Sequence, residues 1–212
     1  MCIRDSLWIV SELQRREISF QNIAPHYIGD WEKGIDYIGD VDAFQEEFKI
    51  HCQIAAQMGG YKLSLHSGSD KFSVYPIFAR ESDGLFHIKT AGTSWLEAAK
   101  VLSMCQPDLY REIHHFALKC FDKDRFSYHL STDLQRIPDI TKLKDEELPH
   151  LFSDTNSRQL IHITYGSILR EKDQKGTYKF RDRIYRVLFQ NENIHNQEVT
   201  NHIKHHLELL NL

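Results

Sequence analysis

Hydrophobic residues recur along this chain with two different periods. In Tyr61–Phe72, Leu63 and Leu65 alternate with Lys62 and Ser64, the period of a strand. Gly59-Gly60 precedes that strand, and His66-Ser67-Gly68-Ser69-Asp70-Lys71 ends it. Leu85–Thr90 repeats the pattern, with Phe86 and Ile88 on one face and His87 and Lys89 on the other. Ile18–Ile28 reads as an earlier strand through Phe20, Ile23, Tyr27 and Ile28, although Pro25 argues against regular pairing near its end. Between and after these the period is helical. It predicts helices over Leu7–Arg16, Asp42–Met58, Asp70–Arg80 (bent or broken at Tyr75-Pro76), Ser94–Met104, from Pro107 through Phe121, Glu146–Phe152, Ser157–Arg170, and two more after a charged loop. Ser94 and Glu97 have the spacing of a capping box. Ser127–Asp133 reads as a brief strand or an extended crossing segment.

Strands alternating with helices imply right-handed crossovers and a parallel sheet, hence an α/β fold. Three strands cannot close a barrel. Residues 1–6 bear no relation to the pattern that follows and resemble a leader joined to a reading frame that began earlier. The expectation is a C-terminal fragment, with strands and helices over 7–132 and a helical extension over 133–212.

Composition narrows the function classes. The chain has 212 residues, 41% of them hydrophobic, enough for a sizeable core. A net charge of -4 points away from nucleic acid, and no apolar run is long enough to span a membrane. Cys2, Cys52, Cys105 and Cys120 form no CxxC pair and read as reduced thiols of a cytoplasmic protein.

Two stretches carry candidate chemistry. The first is 66–71, where an imidazole, two hydroxyls, a carboxylate and an ammonium follow a strand. Ligands of parallel sheets gather at such ends. The competing reading is a polar turn with a satisfied histidine. The second is Gly29–Tyr37, a glycine-bounded loop of charges and aromatics, or else a connector anchored by Trp31 and Tyr37. Among the 13 histidines, His51, His114 and His115 read as structural. His202 and His206 stand four apart and could bind a stray metal, but with His195 and His205 they read as a solvated helix face.

The stretches Ile28–Tyr37, Ser64–Ser73, His87–Ser94 and Arg158–Ser167 resemble the bacterial tagaturonate/fructuronate epimerase family. That resemblance covers nearly everything after the leader. It implies the C-terminal part of a TIM-type (β/α) barrel, a divalent metal (Mn, Co, Ni, Zn or Fe) and a ketouronate substrate epimerised at C4 in hexuronate breakdown. It carries the metal-binding histidine onto His66. In the 30–33 loop, Glu32 is the sensible ligand and Lys33 the sensible substrate contact. Ser67, Ser69, Asp70, Lys71, His87, Lys89 and Thr90 are the further substrate-binding candidates. The catalytic acid and base fall upstream of the matched region, so the partner expected is the missing N-terminal half of the barrel. The chain alone is expected to be inactive.

C4 is not adjacent to the ketone, so two routes stand open. One breaks and remakes C3–C4 in a retro-aldol step. The other removes and returns hydrogen at C4. Another metal-dependent sugar isomerase or aldolase, or a carbohydrate-binding remnant, would use the same scaffold.

Overall fold

The computed structural model describes residues 3–67, 69–90 and 93–212. Met1 and Cys2 of the expected leader, and Gly68, Ala91 and Gly92 of the two motifs, lie outside the described residues. The order is α1 (Ile3–Arg15), β1 (Asn22–Ile23), α2 (Val41–Gln57), β2 (Lys62–Leu65), α3 (Tyr75–Glu81), β3 (Phe86–Ile88), α4 (Thr93–Cys105), α5 (Pro107–Asp124), α6 (Thr155–Arg170), α7 (Arg181–Gln190) and α8 (Glu192–Leu209). The strands form one parallel sheet in the order β1-β2-β3. The α/β class and the parallel sheet agree with the sequence pattern.

The chain divides into two compact units. Met1–Trp31, Asp36–Thr90 and His205–Leu212 make the first, and Glu32–Ile35 with Ala91–Lys204 the second. In the first unit, Leu63 and Leu65 of β2 turn into an aromatic cluster from α2 and α3. Tyr27 is its hub. Ring centroids of Trp31, Phe44, Phe48, His51 and Phe78 lie 5.9, 5.8, 5.6, 5.3 and 5.8 Å from that of Tyr27, all tilted or edge-on. Such geometry aims ring edges at ring faces, as the aromatic quadrupole favours. Asp40 caps α2, its carboxylate accepting from the amides of Asp42 and Ala43. Tyr37 packs on Trp31 at 4.8 Å, and its ring is clamped by the backbone of Gly29 and Gly39. A Cβ at either glycine would overlap that ring.

The second unit is helical. Leu96, Leu102, Tyr110, Ile113, Phe121 and Leu160 are buried at its centre. Asp154 caps α6 by accepting from the Ser157 amide. The indole of Trp95 donates to the Ile161 carbonyl at 2.9 Å.

Several expectations are corrected. Ile18–Ile28 pairs only at Asn22–Ile23, since Pro25 lacks an amide hydrogen to continue the ladder. Pro76 does not break a helix running from Asp70. It occupies the first turn of one that starts at Tyr75, where no donor is needed. Ser127–Asp133 is not a strand; a 3-10 turn over Arg125–Ser127 precedes irregular backbone. Glu146–Phe152 lies in a 3-10 stretch, Asp145–Ser153, with Pro149 inside it. The first helix starts at Ile3 rather than Leu7, and Ser6 in it is buried.

His114 is fully buried beside Tyr110, and neither ring nitrogen has a hydrogen-bond partner among the described residues. Burial therefore disfavours its cation and pushes its pKa down to about 4. Between that value and the ordinary histidine range the unfolded chain binds a proton that the folded chain does not. Its full contribution is present above the unfolded pKa, and stability is lost as pH falls toward the folded value, by about 3 kcal/mol at most. Thermal midpoints recorded between neutral pH and pH about 4.5 should fall with acid, and His114→Leu should flatten that acid limb. An unchanged limb in the variant would remove His114 as the cause.

Candidate functional site

The parallel register gives the sheet two unlike faces. Leu63 pairs with Phe86 and Leu65 with Ile88, and all four belong to the apolar cluster. Ser64 pairs with His87, and Asn22 with Lys62, so their side chains share the opposite face. There Ser64 Oγ lies 2.7 Å from His87 Nδ1, while Lys62, His87 and Lys89 are exposed. The Lys89 amide donates to the Leu65 carbonyl at 3.3 Å, extending the ladder past β3.

His66 follows β2 at its carboxyl end and is exposed. The turn after it is conformationally unusual. Ser67 and Asp70 have φ of 60° and 62°, the left-handed region that side chains other than glycine seldom occupy. Such strained positions concentrate at ligand sites. Ser69, Asp70 and Lys71 are buried, and the Lys71 ammonium donates to the Ser69 carbonyl at 3.4 Å. Thr90 is half-buried just beyond β3.

Glu32 and Lys33 belong to the second unit. Glu32 is only 4% exposed. Its Oε2 accepts from the Ser131 amide at 2.9 Å, the Ser131 hydroxyl at 3.0 Å and the Gln159 amide at 2.8 Å. The Lys33 carbonyl accepts from the same Gln159 nitrogen at 3.2 Å. In the Gly29–Tyr37 loop, Trp31 and Tyr37 are packing anchors, and the Trp31 indole donates to the carbonyls of Tyr27 and Ile28.

The reading of the last helix as a wholly solvated face is corrected. His206 is 2% exposed, with its ring against Phe72 and Tyr75 at 4.9 and 5.4 Å. Its Nε2 accepts from the Asp70 amide at 3.4 Å and lies 3.8 Å from Asp70 Oδ1. His202 stands one turn earlier on α8, its Nδ1 3.3 Å from Glu97 Oε1. Asp70 and His206 thus bring a carboxylate and an imidazole, two metal-ligand donor types, together in the first unit. Neither His66 nor Glu32 belongs to a group of three such donors among the described residues. The four-residue spacing of the two histidines was the one signal in the sequence. Nothing in it announces the Phe72 and Tyr75 rings that bury His206.

The profile of the tagaturonate epimerase family matches residues 3–210. A tagaturonate/fructuronate epimerase of Thermotoga maritima is 53% identical over 204 residues, 96% of this chain and 41% of the relative. The native crystal structure of the fructuronate-tagaturonate epimerase from Cohnella laeviribosi superposes with a TM-score of 0.96 at 42% identity, covering 99% of this chain and 43% of that one. A crystal structure of the same enzyme complexed with one glycerol agrees equally well, with a TM-score of 0.96. The chain thus spans about two fifths of the length of the relatives it matches.

Removing the Glu32 carboxylate takes the acceptor from the Ser131 amide, the Ser131 hydroxyl and the buried Gln159 side chain together. Glu32→Ala should cost about 2–4 kcal/mol, read as a lower urea midpoint, and Glu32→Gln less because one acceptor oxygen stays. A loss below about 0.5 kcal/mol, the scale of an ordinary surface change, would contradict the bonding described.

Proposed function

The chain belongs to the tagaturonate epimerase family, and on that premise we propose that it carries part of the site that interconverts tagaturonate and fructuronate at C4. The observation that supports this most is the polar sheet face, with Ser64 and His87 paired across the strands and His66 at the carboxyl end of β2. The proposal includes a TIM-type barrel. In its favour, each strand is followed in the chain by a helix, and the apolar face of the sheet packs on α2 and α3. A cytoplasmic location is part of the same reading, supported by the free thiols of Cys52, Cys105 and Cys120. No described helix is long and apolar enough to cross a membrane.

The divalent metal that the family resemblance implies has His66 as its proposed ligand in this chain. An exposed imidazole beside a strained turn fits such a role, whereas the Glu32 oxygen that accepts three hydrogen bonds already serves the second unit. When bound, the ion supplies polarisation of substrate oxygens. The chain's own residues do the rest. Lys62 and Lys89 offer cations for the substrate carboxylate on the face that holds His87. The left-handed turn at Ser67 sets the direction in which the chain leaves His66.

Placing residues 3–210 of this chain in the matching stretch of the Thermotoga maritima relative tests the reading. The chimera should convert fructuronate to tagaturonate, followed by proton NMR. His66→Gln in it should lower the rate on the order of 100-fold or more. A soluble, folded chimera without turnover, or one indifferent to His66→Gln, would refute the assignment. Deuterium uptake at C4 from solvent then separates proton transfer from the retro-aldol route, which need not exchange that hydrogen.

A further inference from the structure

We propose that His87 is a further proton-transfer residue of this site, in addition to the acid and base that the family resemblance places upstream, and that Ser64 is the residue that positions it. The inference rests on the epimerase reading above and adds a role for two residues of the sheet. Ser64 and His87 are register partners in adjacent parallel strands, so their Cα atoms are held by the ladder itself. Ser64 is 0% exposed, and its hydroxyl is 2.7 Å from His87 Nδ1. The Ser64 carbonyl in turn receives the Tyr27 hydroxyl at 3.5 Å, which ties this point of β2 to the aromatic hub.

One ring nitrogen of His87 is thereby committed to the sheet. The other, Nε2, is left to the exposed polar side that also carries Lys62 and Lys89. What one imidazole nitrogen bonds to fixes what the other can do. With Nδ1–H donating to Ser64 Oγ, Nε2 holds a lone pair. It takes the proton of a substrate hydroxyl: the O–H bond breaks, an N–H bond forms, and the ring becomes a cation beside the new alkoxide. The Nδ1–H bond to Ser64 persists through the step, so the ring does not turn. The reverse transfer restores both partners.

The test uses the ¹⁵N-labelled 212-residue chain and long-range proton–nitrogen spectra of its imidazoles, which report the tautomer directly. Neutral His87 should carry its proton on Nδ1. Ser64→Ala should let the ring average between tautomers, and Ser64→Thr should restore the single form. If Ser64→Ala does not fold, Ser64→Cys replaces it, since a thiol is a poor acceptor and should loosen the tautomer likewise. A proton on Nε2 in the unaltered chain, or a tautomer unmoved by loss of the hydroxyl, overturns the pairing. In the full-length chimera described above, which supplies the upstream half, added D-fructuronate should shift His87 Nε2. A response at His66 without one at His87 overturns the role of His87 alone. Silence at both overturns the epimerase site as well.

Discussion

Leu63 and Leu65 must both point into the aromatic cluster, and this one requirement sets the whole polar face of the sheet. Side chains alternate along a strand, so burying those two leucines leaves Ser64 no choice of side. The parallel register then puts His87 across from Ser64 rather than across from a leucine. A slip of one residue would bring the serine hydroxyl into the cluster around Phe44, Phe48 and Phe78 and turn two leucines to water. The apolar core on one side is therefore the device that aims the chemistry on the other.

The parts of this arrangement that rest on short-range patterns were legible in the sequence. The alternation of β2 and β3 announced the strands, and the same alternation put His87 and Lys89 on one side. Helices with a continuous apolar stripe, such as α2 and α5, stood close to where they were expected. Proline was harder to read. At Pro25 it shortened a strand, and at Pro76 it opened a helix, because its effect depends on whether the missing donor would have had a partner. The candidate site was legible only in part. Glu32 has the chemistry of a metal ligand, but its oxygen accepts from Ser131 and Gln159, about a hundred residues or more along the chain. His206 looked like one of several surface histidines until Phe72 and Tyr75 covered it. No periodicity encodes contacts of that separation.

Glu32 and His114 are both buried and both ionisable, yet they bear on stability in opposite ways. Glu32 is met by three donors, which offset the cost of taking its oxygen out of water. His114 has no such company among the described residues, and it is held neutral by the cost of charging it out of water. The first makes the loop 129–132 depend on a carboxylate from the start of the chain. The second gives the helical unit a sensitivity to acid that has nothing to do with substrate.

The clamping of Tyr37 between Gly29 and Gly39 bears on the order in which this loop can change over generations. Any larger residue at either glycine must first wait for the ring to shrink, and shrinking the ring empties space beside Trp31 and Phe44. The three positions are thus bound into a single historical step. Relatives that have lost the tyrosine are relieved of that overlap, while the positive φ at Gly29 and Gly39 goes on favouring glycine there.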